Sequence, residues 1–157
     1  MSRAHTKTVI DAMIVALRAI DGSGVDSFTP SIVQRHDEER SVEGPPHSII
    51  VRRSGSARGR ESGGSGWLTS SFVEIDCNVY SGAESDVPTD EAIEGAEEDV
   101  FRAIVDMDWD TLFAEFADFK SDTFRDQDPE HPAAGFTATV EVQYKVAYDS
   151  PGTIINL

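Results

Sequence analysis

From Phe136 to Tyr148 the chain reads FTATVEVQYKVAY, and apolar and polar positions alternate without a break. Phe136, Ala138, Val140, Val142, Tyr144, Val146 and Tyr148 fall on one side of an extended chain, and Thr137, Thr139, Glu141, Gln143, Lys145 and Ala147 on the other. The pattern predicts a half-buried antiparallel strand. At about 3.3 Å per residue it would run roughly 40 Å, well beyond the usual strand, so it either bends or continues past its own domain.

The same period recurs in SFVEIDCNVY at 71–80, where Val73, Ile75, Cys77 and Val79 alternate with Glu74, Asp76 and Asn78, and HSIIVRR at 47–53 is a further strand candidate. Between them SGSARGRESGGSG carries too few apolar side chains to pack a core. The two strands are therefore expected to form a hairpin with a long flexible loop over residues 54–66. Pro30 interrupts VDSFTPSIVQR at 25–35, which leaves a short or edge strand there. HDEERSVEGPP and QDPEHPAAG read as polar loops.

Helical spacing appears twice. Val9, Ile10, Met13, Ile14, Leu17 and Ile20 lie between Thr6, a suitable N-cap, and Gly22, a suitable stop. In TDEAIEGAEEDVFRAIVDMDW, Thr89 is the N-cap and Asp90 and Glu91 occupy the first turn, where the helix dipole favours anions. Ile93, Val100, Ile104 and Met107, with Ala92 and Ala96 between turns, form its buried stripe. From Trp109 to Phe124 the spacing of Phe113, Phe116, Phe119 and Phe124 fits helix and strand equally. The element order predicts a single α+β domain over residues 1–157, with two helices covering one face of a mainly antiparallel sheet.

Charge changes this picture more than motifs do. The chain holds 29 acidic against 13 basic residues, a net charge of -16, and only 3 of the basic residues are lysine (Lys7, Lys120 and Lys145). Such surface acidity resembles that of proteins from salt-loving archaea: carboxylates repel one another in dilute buffer, and multimolar salt shrinks the Debye length to about 3 Å or less. It also disfavours DNA binding by the surface as a whole, because phosphate affinity comes from cations. The one stretch against the grain is RRSGSARGR, with Arg52, Arg53, Arg58 and Arg60 in nine positions. Three readings stand for it: docking on the carboxylate-rich face of a neighbouring copy or partner, contact with DNA phosphates, or a plain hairpin tip kept soluble by its arginines.

Catalytic patterns are absent from the sequence. His5, His36, His47 and His131 are far apart and lack metal-ligand spacing, so solvent-facing or loop histidines are expected. DGSG and GGSGW lack the marks of a dinucleotide or phosphate loop, and Trp67 stands where a GxSxG elbow needs its last glycine. HDEER at 36–40 is a weak cation-binding candidate. Between residues 81 and 130, 17 carboxylates face three basic residues with no pair singled out. Cys77, on the apolar side of its strand, is expected to be a buried inert thiol. The first 22 residues do not read as a signal peptide and no window is apolar enough for a membrane span, so a soluble protein made in a reducing compartment is expected. No catalytic residue, cofactor or metal is expected.

The leading helix, central hairpin, TDEAIEGAEEDVFRAIVDMDW helix and closing FTATVEVQYKVAYDSP, with Tyr148, Asp149 and Pro151 in its ending, resemble the tail terminator (tail completion) proteins of long-tailed viruses. The resemblance spans nearly the whole chain and rests on element order, length and that ending. It implies a structural virion protein, not an enzyme, assembled in the host cytoplasm and located at the head-tail junction. Its partners would be itself, in a homohexameric ring, the tail tube protein, and a neck or head-completion protein, with genome DNA passing through the lumen without specific binding and no membrane contact. The acidity departs from a typical bacterial phage member and points to a virus of a halophilic archaeon. Arg52, Arg53, Arg58, Arg60, Tyr144 and Tyr148 are the candidate subunit or partner contacts, and the far part of the 136–148 strand is expected at a subunit boundary. Another neck protein, a cytoplasmic acidic enzyme and a binding module remain as alternatives.

Overall fold

The computed structural model describes residues 2–22, 30, 32–35, 48–60, 66–79, 89–125, 134–147 and 154–155. Helix α1 (Ser2–Arg18) precedes β1 (Ile32–Arg35), β2 (Ser48–Arg60) and β3 (Gly66–Asn78); α2 (Thr89–Val105), β4 (Glu115–Arg125), β5 (Ala134–Ala147) and β6 (Ile154–Ile155) follow. The sheet order is β1-β2-β3-β5-β4, with β6 added to β5. Only β1 and β2 run parallel; β2 with β3, β3 with β5, β4 with β5 and β5 with β6 are antiparallel. The expected α+β class, with two helices packed on a mainly antiparallel sheet, describes the molecule.

Period-two patterning puts Ile49, Val51, Val73, Ile75, Cys77, Phe136, Ala138, Val140 and Val142 on one sheet face, where all are buried. Val9, Met13 and Leu17 of α1 and Ile93, Ala96, Val100 and Ile104 of α2 close that core. Polar contacts fix how the helices sit. The Thr6 hydroxyl meets that of Ser71 at 3.2 Å, the Arg18 guanidinium donates to the Val33 carbonyl, Arg35 reaches Asp11 at 3.3 Å, and the Ser121 hydroxyl donates to Glu97 at 2.6 Å. The opposite sheet face carries Arg52, Glu74, Asp76, Thr137, Thr139, Glu141, Gln143 and Lys145 and has no helix on it among the described residues.

Several expectations are corrected. Helix α1 begins at Ser2, so Thr6 is not its N-cap but a buried side chain of its second turn. The 109–124 ambiguity resolves into a turn and a strand: Trp109–Phe113 curl back, Phe113 adopts φ 52°, and β4 begins at Glu115. Pairing with β5 decides it, because only a strand can satisfy the exposed hydrogen-bonding side of β5. Most of the expected 54–66 loop is strand too. Residues 55–60 pair with 67–72 of β3, while 61–65 lie outside the described residues. The long final strand needs no subunit boundary to justify its length, since β3 pairs with it from Gly135 to Ala147 and β4 and β6 cover its other side.

Candidate functional site

The arginine segment is the second half of β2. A bulge between Arg53 and Gly55 inserts one residue against β3, so the face of each later residue is switched. Arg53 stands opposite Val73 and Arg58 opposite Thr69, which puts both arginines on the helix side of the sheet, while Gly55, Ala57 and Gly59 take the open side. Without the bulge Arg58 would share the open face with Arg52. The sequence offered one hint of this device, a glycine inside a strand pattern.

The arginines then divide by environment. Arg52, on the open face, pairs with Glu74 and lies 3.7 Å from Asp76, and the Glu74 hydrogen bond holds its guanidinium above the usual arginine range. Its charge is spent inside the protomer. Arg53 and Arg58 are exposed and bond to hydroxyls instead: Arg53 to Ser56 Oγ at 2.9 Å and Arg58 Nε to Thr69 Oγ1 at 3.1 Å. Arg60 occupies the register position opposite Trp67 at the end of β2. In a chain with more than two carboxylates per cation, two exposed arginines engaged with neutral groups are an electrostatic surplus.

The outer edge of this segment is also open. β1 pairs with residues 48–51 only, so from Arg52 to Arg60 no strand lies beside β2 among the described residues. Such an edge presents a row of backbone donors and acceptors to any added strand. Added methyl groups at Gly55 and Gly59 would meet nothing within 4 Å. The protomer's own packing does not call for glycine there.

Tyr144 is corrected as a contact residue. It is 1% exposed and lies on the core side of β5, its ring edge-on to His5 at 4.6 Å. Tyr148 lies outside the described residues, as do His36, His47, His131 and the HDEER segment. His5 is not a solvent-facing histidine: it is partly buried in the first turn of α1, its Nε2 has no hydrogen-bond partner among the described residues, and burial pushes its pKa down. Cys77 is buried as expected, with its thiol pKa raised by desolvation.

The other edge of the molecule was not marked in the sequence. Phe101 and Val105 of α2 are each 38% exposed, and Phe113 in the turn before β4 is 55% exposed. Phe101 packs edge-on against Phe116 and Phe119 of β4, with ring centroids 6.4 and 5.1 Å apart. Glu94, Glu97 and Glu98 precede Phe101 by seven, four and three residues, so they share its helix face. A cleft of about 280 Å³ lies elsewhere, between the end of α1 and α2, lined by Ala16, Ala19, Ala103, Asp21, Asp99 and Asp106 among others. Among the described residues no group of three or more histidine, cysteine or acidic side chains is placed to hold a metal ion, and no helix is long and apolar enough to cross a membrane.

No protein-family model matches the chain, and no curated protein matches it in sequence.

Proposed function

We propose that the protein is a structural component of a virion, a tail terminator whose copies form a ring on the last ring of the tail tube and join it to the neck. The observation that carries this reading is the pair of exposed arginines, Arg53 and Arg58, engaged among the described residues only with neutral hydroxyls, on a β2 edge that no described strand covers, in a net -16 protomer. Charge of the minority sign, held on a β-strand and not paired with a carboxylate among the described residues, serves contact with an acidic protein surface, and every other copy of this chain offers one. The order of helices and strands, resembling that of tail terminators, supports a position of the assembly at the head-tail junction, with tail tube and neck proteins as partners.

The acidity fits a virus of a halophilic archaeon, where salt suppresses the repulsion between neighbouring copies. The same acidity makes the wall of a ring repel DNA phosphates, so the genome passes without sticking.

The test is mass by light scattering in multimolar KCl, then addition of polymerising tail-tube protein with electron microscopy of the products. A ring that caps one tube end and stops growth supports the proposal. Tubes that grow unchanged and bear no cap would remove it, and the acidic binding module would then become the leading reading.

A further inference from the structure

We infer that copies of this chain join head to tail through their sheet edges, the arginine half of β2 in one protomer meeting β4 and the Phe101 stripe of α2 in the next. The inference rests on the ring reading above and names the surfaces that build the ring.

Sheet register sets the heights of the two edges. Arg53, Val73, Val140 and Phe119 form one row across β2, β3, β5 and β4; Gly55, Phe72, Glu141 and Asp118 form another; Ala57, Ser70, Gln143 and Glu115 a third. The open part of β2 and the first part of β4 thus end the same rows on opposite sides of the protomer. β4 pairs only with β5 among the described residues, so its far side is open as well. A rotation about an axis along the strands keeps each row at its height and brings β4 of one copy beside β2 of the next. β2, β3, β5 and β4 alternate in direction, so that junction is antiparallel and continues the sheet without a break in polarity.

Chemistry matches on both faces. On the helix side Arg53 and Arg58 enter the layer of Phe101 and Val105, where Glu94, Glu97 and Glu98 share the helix face. A guanidinium there lies against aromatic area and carboxylates together. On the open side Gly55 and Ala57 meet Asp118 and Glu115. Small residues allow the close approach that the protomer itself does not require. The contact is heterologous, one basic edge to one acidic and aromatic edge, which is the arrangement that closes into rings.

The test uses two full-length variants, Arg53→Glu/Arg58→Glu and Glu94→Arg/Glu98→Arg, with folding checked by circular dichroism and mass by light scattering in KCl. Each alone is expected to lose the wild-type assembly and run as the 17.1 kDa protomer. Mixed, they are expected to reassemble at 1:1, because the two altered edges attract and the two native edges still fit. A folded variant that keeps wild-type mass, a mixture of folded variants that stays monomeric, or a wild type that is monomeric at every protein and salt concentration would each overturn the inference. Tubes capped by both variants alike would sink these edges and leave the terminator reading standing. Assembly that obeys the charge swap yet never touches a tail tube would do the reverse.

Discussion

Replacing Tyr144 by alanine separates core from surface most cleanly. The ring is 1% exposed, sits in the core layer between Val142 and Val146, and meets His5 edge-on at 4.6 Å. Removing a buried aromatic side chain costs about 3–5 kcal/mol in lost transfer and cavity terms, and the ring pair adds about 0.5–1.5 kcal/mol within that range. For a chain of this length each kcal/mol moves Tm by about 2–4 °C, so Tyr144→Ala should melt about 6–20 °C lower. Tyr144→Phe keeps the ring and its packing against His5, and should stay within about 1.5 kcal/mol of the parent. The assay is denaturant unfolding followed by circular dichroism in KCl, with the assembled mass measured on the same samples. If Tyr144→Ala kept parental stability to within about 1 kcal/mol and lost only assembly, the placement of this residue in the core would be wrong.

His5 gives a pH dependence with a definite sign. Its folded pKa is lowered by burial, so the unfolded chain binds the extra proton more readily; stability is fully present above the ordinary histidine value near 6.5 and falls as pH drops through the folded value. Unfolding midpoints of wild type and His5→Gln compared between pH 7.5 and 5 should converge at the acid end, and parallel curves would refute this. Arg52→Ala should cost about 0.5–1 kcal/mol in dilute buffer, because Glu74 and Asp76 on the neighbouring strand lose the cation between them, and less in molar salt. An Arg52→Ala loss that grows with salt would contradict a Coulombic origin. Cys77, buried with its thiol pKa raised, should resist maleimide in the native state and react on unfolding, and rapid native labelling would place it elsewhere.

The elements whose periodicity is unambiguous were legible before any coordinates. Strict alternation in 136–147 and 71–79 fixed both the strands and the faces they bury, since a slip of one residue would turn Val140 and Ile75 into solvent. The stripes of α1 and α2 were legible for the same reason, as was the burial of Cys77. The remaining features depend on contacts between distant segments. The Phe113–Phe124 spacing fits two periods, and only the open hydrogen-bonding side of β5 selects the strand. Glycine, serine and arginine at 54–60 have little intrinsic preference for extended structure, so pairing with β3 overrides a local pattern that reads as a loop. Tyr144 carries an apolar ring and a hydroxyl, and no local signal tells a core from an interface; α1 settles it by packing His5 over the ring. The four arginines were visible as a cluster, but their division was not. Simple alternation sets Arg53 opposite Arg52, but it is the bulge that brings Arg58 to the Arg53 face, and that depends on how two strands align, which neither strand's sequence contains alone.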